Sequence, residues 1–153
     1  MKEFQSLLIT QTPKTPLIDL DHLTGDLIFS GRSIPENAAK IYEPVLNWVT
    51  DYISNACPTT NLRLNLEYFN TASVLWLGKI FRVLIRIKEP DYVLIVHLYL
   101  PEEEYDGMKD FEDIIDAFGP IEDLVQSPVQ SIGIKLHGVD TKGEIIKESL
   151  VFI

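Results

Sequence analysis

Two apolar runs and the segment joining them constrain the fold most. Leu62, Leu64, Leu66 and Tyr68 alternate with Arg63, Asn65, Glu67 and Phe69, the period-two pattern of a strand with one buried face. Tyr92–Leu100 is apolar at nearly every position, as expected for a central strand covered on both faces. Between them, Ala72, Leu75, Leu77, Ile80, Phe81, Leu84 and Ile85 recur at helical spacing, predicting a helix from Thr71 to about Lys88 that Glu89-Pro90-Asp91 ends. A strand, a helix and a second strand in this order form a crossover unit with parallel strands.

The flanking segments extend the pattern. Leu17–Leu20 and Leu27–Gly31 surround Thr24-Gly25-Asp26 and read as a hairpin. Leu7-Leu8-Ile9 is either a short edge strand or a partner arm. Ser33-Ile34-Pro35-Glu36 reads as a capping box opening a helix to about Ser54, with Ala38, Ile41, Tyr42, Val45, Val49, Tyr52 and Ile53 on its apolar face. Pro44 inside it predicts a kink near Lys40–Ile41. Asp106–Phe118 reads as an acidic amphipathic helix, and Ile121–Val125 as a further turn or two. Ser131–Leu136 and Glu144–Ile153, around Asp140-Thr141-Lys142-Gly143, form a second hairpin signal. The whole order implies an α/β layer fold with a mixed sheet.

The chain has 153 residues, 46% of them apolar and 24% charged, with a net charge of −10. That length suits one domain with its own core. The negative balance argues against an electrostatic grip on nucleic acid or anionic lipid. Cys57 is the single cysteine, so no internal disulfide forms, and we expect a reducing, cytoplasmic setting. No apolar run approaches the roughly 20 residues of a membrane span.

The junction at residues 70–73 is the most informative point for function. Asn70 is a good N-cap, which puts Thr71 at the first helical position and Ser73 at the third. Hydroxyls here lie beside free backbone N–H groups and the positive end of the helix dipole, where a phosphate is stabilised. The same residues also serve as ordinary caps, and spacing alone leaves both readings open.

Three stretches carry a resemblance. Ser30-Gly31-Arg32-Ser33-Ile34-Pro35-Glu36-Asn37, Ile41–Trp48 and Leu66-Glu67-Tyr68-Phe69-Asn70-Thr71-Ala72-Ser73 resemble, in kind and order, the SiaC family of bacterial regulatory phosphoproteins, over roughly residues 10–118. The resemblance implies a STAS-like single domain over residues 1–129, like the anti-sigma-factor antagonists: a mixed β-sheet with helices packed on it. Residues 130–153 would add a C-terminal β-hairpin extension packed on the same domain. It also implies a partner switch rather than an enzyme. A threonine is phosphorylated by a dedicated protein kinase and dephosphorylated by a PP2C-type phosphatase, and the unphosphorylated form binds and stimulates a diguanylate cyclase in cyclic-di-GMP signalling. No cofactor is needed.

By position the phosphoacceptor is Thr71, with Ser73 the second candidate. Arg32, Glu36, Asn37, Asn70, Thr71 and Ser73 would border the partner-binding surface. Arg32 would pair with a carboxylate or approach a Thr71 phosphate, while Glu36 and Asn37 equally suit plain cap and first-turn roles. Two features depart from the family pattern: Ala72 replaces a serine, and the segment from about Gln130 to Ile153 is foreign to it. The tail is expected to form a strand pair at a sheet edge, either capping it or joining two subunits as a homodimer. A constitutive scaffold of the same fold, with no working switch, is the first alternative reading. A small enzyme is the second, and would need a polar pocket with convergent titratable groups.

The remaining candidates read more plainly. Glu102–Asp116 is strongly acidic and lacks the alternating ligands of a calcium loop, so a solvated helix face is expected. His97 inside an apolar strand reads as a hydrogen-bonded core histidine, with His22 and His137 on the surface. His22, His97 and His137 show no metal-ligand spacing. Cys57 reads as a semi-buried thiol, and Trp48 lies at the edge of its helix's apolar stripe.

Overall fold

The computed structural model describes residues 4–107 and 131–152. The elements run β1 (Leu7–Ile9), β2 (Leu17–Leu20), β3 (Asp26–Ser33), α1 (Ala38–Tyr52), β4 (Thr59–Phe69), α2 (Thr71–Leu84), β5 (Val93–Pro101), α3 (Glu102–Gly107), β6 (Ser131–Val139) and β7 (Ile145–Phe152). The strands form one mixed sheet in chain order. β2 runs antiparallel to both β1 and β3, β3 to β6 are parallel, and β7 returns antiparallel to β6.

Sequential order with right-handed crossovers places α1 and α2 on one face of the sheet. The register shows why the strands alternate as they do. Leu20, Leu27, Leu62, Val96 and Ile134 lie in one cross-strand row, and Ile18, Phe29, Leu64, Leu98 and Leu136 in the next. Nearly all are buried, under Tyr42, Val45, Val49, Tyr52, Leu77, Ile80, Phe81 and Leu84 of the helices. Each such side chain contributes roughly 1.5–3 kcal/mol by leaving water.

Gly25 turns β2 into β3 at φ +78°, and a Cβ there would collide with the Thr59 carbonyl oxygen, so glycine is needed twice over. Trp48 is buried and donates its ring N–H to the Gln5 carbonyl at 2.7 Å. The short β1 pairs with β2 as an edge strand.

Several boundaries differ from the sequence reading. Ser33 does not cap α1. A register shift between Gly31 and Arg32 carries β3 on to Ser33, which pairs with Phe69. Pro35 then disfavours a helical Ile34, and Asn37 becomes the N-cap, accepting from the Lys40 amide at 3.3 Å. α1 ends at Tyr52, with Pro44 inside it. α2 ends at Leu84 rather than Lys88, and β4 begins at Thr59 because β3 and β5 both pair with its early residues. A short helix, α3, starts at Glu102, directly after β5, with three glutamates in its first turn, where the helix dipole favours negative charge. The expected 106–118 helix, beyond Gly107, and the 121–125 turn lie outside the described residues. His137 is buried, not at the surface, because β6 pairs in parallel with β5 and sets it against Tyr99. The C-terminal hairpin is present, joined to β5 along the whole of β6.

Candidate functional site

The C-terminal ends of the parallel strands β3 and β4, with the segments that leave them, carry Arg32, Glu36, Asn37, Asn70, Thr71 and Ser73. Asn70 caps α2 in an extended conformation (φ −93°, ψ 172°). Its Oδ1 accepts the Ser73 amide at 2.9 Å, its Nδ2 donates to the Pro35 carbonyl at 3.3 Å, and its own amide donates to the Ser33 carbonyl at 2.9 Å. One residue thus ties the start of α2 to the end of β3 and the approach to α1.

Ser73 extends the clamp inward. Its hydroxyl is fully buried, 2.7 Å from Ser33 Oγ, 2.8 Å from the Ser33 carbonyl and 2.7 Å from Asn70 Oδ1. Ser33 Oγ in turn hydrogen-bonds the Tyr42 hydroxyl. Burial pushes the Tyr42 phenol above its ordinary pKa, partly opposed by Ser33 and Ser73, so it stays a donor. With one proton per hydroxyl, a consistent run is Tyr42 to Ser33, Ser33 to Ser73, and Ser73 to Asn70 Oδ1 or the Ser33 carbonyl. The Tyr42 ring stacks between Phe29 and Trp76, each at 6.4 Å and 13°, which fixes the inner end of the run in the core.

Thr71 sits on this clamp with its side chain exposed. As the first residue of α2 it lies where the backbone amides lack intrahelical acceptors. Ser73, by contrast, has no path to a kinase while enclosed in this way. The surroundings of Thr71 are apolar and open: Ile34, Tyr68, Phe69 and Leu75 are all exposed, Leu75 at 61%. Arg32 lies over the Tyr68 ring at 5.4 Å and approaches Glu67 at 3.8 Å. Glu36 pairs with Lys14 at 3.2 Å, and Asn37 is engaged as the α1 cap.

The structure therefore brings Asn70, Thr71 and Ser73 together with the 32–37 segment. The sequence reading took Ser33 as a helix cap and Tyr42 as a core residue, and did not anticipate the hydrogen bonds that join them to Ser73 or the apolar rim. The consecutive aromatics Tyr68-Phe69, which break the strand's alternation, were the available signal for the rim.

Beside this surface an apolar cleft of about 760 Å³ opens between α2 and the strand ends, lined by Leu64, Leu66, Val74, Leu77, Leu98 and Leu100 among others. Glu67 and Glu104 are the carboxylates in its lining. Among the described residues no three His, Cys, Asp or Glu side chains converge on a metal site, and no helix is long and apolar enough to cross a membrane.

Residues 9–125 match the family model for SiaC family regulatory phosphoproteins. The chain belongs to the SiaC family. The matched span includes the β3–α1 and β4–α2 junctions, whereas β6 and β7 lie beyond it. An uncharacterised protein of Pseudomonas aeruginosa strain UCBPP-PA14 is 35% identical over 68 residues, 44% of this chain and 54% of that relative. The chain thus spans about half the length of the curated relative it matches. Apo-SiaC from Pseudomonas aeruginosa has the same fold, with TM-score 0.59 and 22% identity over 85% of this chain and 98% of that one. A second SiaC structure from that organism gives TM-score 0.58 and 26% identity, covering 70% of this chain and 93% of that one. So does a chain in the crystal structure of the diguanylate cyclase SiaD in complex with its activator SiaC, with TM-score 0.62 and 23% identity, covering 86% of this chain and 99% of that one. This chain thus shares the fold of the solved SiaC structures.

Proposed function

We propose that this SiaC-family chain is a non-enzymatic partner switch set by phosphorylation of Thr71, acting on a diguanylate cyclase. One observation carries the reading: an exposed hydroxyl on a rigid helix start, surrounded by exposed Ile34, Tyr68, Phe69 and Leu75. Unphosphorylated, this rim offers apolar area to a partner. A phosphate would add about −1.5 to −2 charges in its middle, next to Glu67, and docking would then require stripping water from a dianion.

The complex of SiaD with its activator SiaC supports the choice of partner, while a Ser/Thr-type kinase and a PP2C-type phosphatase would set the phosphate level. Arg32, Glu36, Asn37 and Asn70 border or position the surface, and the setting is cytoplasmic. Ala72, in place of the family's serine, favours a second reading in which the fold docks constitutively. Residues 130–153 form an extension whose hairpin covers the β5 edge; a second subunit would join through β7, the strand left at the sheet edge.

The test is capture from the host lysate with wild type, Thr71→Ala and Thr71→Asp, read by mass spectrometry. We expect a diguanylate cyclase with wild type and Thr71→Ala and its depletion with Thr71→Asp. Equal capture by all three, with no phosphate on Thr71 in any growth state, would leave the constitutive reading standing.

A further inference from the structure

The middle of the sheet is forked. β4 is in register with β5 only as far as Leu64, which lies opposite Leu98. Beyond that point β4 runs on to Phe69 beside β3, and β5 runs on to Pro101 beside β6. A local irregularity accompanies the parting. Leu66 pairs with Gly31 and Tyr68 with Arg32, so Glu67 is an extra residue with no counterpart on β3. A bulge of this kind bends and twists its strand, and this one falls in the stretch of β4 that has left β5.

The apolar cleft of about 760 Å³ lies in the fork. Leu66, Leu98 and Leu100 line it from the helix side of the sheet, and Asn65, Glu67 and Tyr99 from the opposite side. The gap therefore passes through the sheet instead of resting on one face. Two strand edges border it. Asn65–Phe69 and Tyr99–Pro101 keep their outer neighbours, β3 and β6, but among the described residues nothing pairs with their main chain on the cleft side. A row of unpaired backbone donors and acceptors is a template for another strand.

We infer that the fork receives an extended segment of a partner protein, which adds to the free edge of β4 as a strand. The dimensions fit. A strand residue fills roughly 160 Å³, from its rise, the spacing between strands and the thickness of a sheet layer. The cleft thus holds about five residues, which matches the free edge Asn65–Phe69.

The lining sets the chemistry of the segment. An inserted strand sends alternate side chains to the two faces. One set meets Leu66, Val74, Leu77 and Leu100, and the other meets Asn65, Glu67 and Tyr99. The described lining holds two carboxylates, Glu67 and Glu104, and no Lys, Arg or His. Arg32 comes only within 3.8 Å of Glu67, with both side chains half exposed or more, so it neutralises little of that charge. The segment that fits carries apolar residues at every second position with Lys or Arg between them. Main-chain bonds to β4 would give it affinity, and the two linings would give it specificity. Tyr68 and Phe69 join this edge to the Thr71 rim, yet the site stands whether or not Thr71 is phosphorylated.

A display library of random linear heptapeptides, panned against the full chain, tests the inference. Enriched peptides should share the alternation and a basic residue. One of them, synthesised, should bind with a Kd below about 100 µM. By NMR, amides within Asn65–Phe69 should gain at least about tenfold exchange protection, while β2 and the β1 edge stay unchanged. Leu66→Trp, which fills the cleft, and Glu67→Lys, which reverses its charge, should each weaken binding at least about tenfold. A thermal scan shows that each variant is folded, and Glu67→Lys alone suffices should Leu66→Trp fail to fold. No enrichment, peptides that protect another edge, or full affinity for folded Glu67→Lys would overturn the proposal. The assay uses neither a cyclase nor phosphate, so its failure would leave the Thr71 reading intact.

Discussion

Asn70→Ala separates the clamp from the residue it presents. The substitution removes an N-cap, worth about 0.5–2 kcal/mol, and the Nδ2 bond to the Pro35 carbonyl at 3.3 Å. It also takes away the Oδ1 acceptor that lies 2.7 Å from the buried Ser73 hydroxyl. That hydroxyl keeps the Ser33 carbonyl at 2.8 Å, so it is not orphaned. A total of about 2–3 kcal/mol is expected. For a domain of this size that lowers Tm by roughly 5–10 °C. Thr71→Ala, one residue on, changes an exposed side chain and should stay within about 0.5 kcal/mol. Urea unfolding followed by the fluorescence of Trp48 and Trp76 gives both values. Equal losses for the two variants, or a larger loss for Thr71→Ala, would refute the reasoning, because Thr71 would then be a structural residue.

Gly25→Ala should cost at least about 2 kcal/mol, since it combines a left-handed backbone with a collision at the Thr59 carbonyl; a loss under 0.5 kcal/mol in urea would contradict the turn geometry. Leu75→Arg, on the exposed rim, should weaken partner binding at least about tenfold and leave Tm within a few degrees; calorimetry and a thermal scan check both. Raised by burial, the Tyr42 phenol deprotonates first in the unfolded chain, so its contribution persists below about pH 10 and fades as pH rises beyond it. Tyr42→Phe should cost about 1 kcal/mol at neutral pH and flatten part of the alkaline decline, measured by urea titrations from pH 8 to 11.

Elements defined by local chemistry were legible from the sequence, and those defined by neighbours were not. The alternation at Leu62–Phe69 and the Asn70 cap placed the β4–α2 junction, and the apolar run at 92–100 placed β5. Ser33 reads as a helix cap in one dimension, but its hydroxyl is taken by Tyr42 and Ser73, partners 9 and 40 residues away. His137 looks exposed beside Gly138 until β6 pairs with β5 and stacks it on Tyr99. The rim also depends on register. β4 pairs with β5 only as far as Leu64, then continues to Phe69 beside β3 alone. That leaves both Tyr68 and Phe69 exposed, which alternation by itself would not produce.

Titration calorimetry of the captured diguanylate cyclase against this protein tests the central claim most directly, using the unmodified chain and the chain carrying phosphate on Thr71 alone. The account predicts at least tenfold weaker binding once Thr71 is phosphorylated, with full recovery after phosphatase treatment. The same affinity in both states would contradict it.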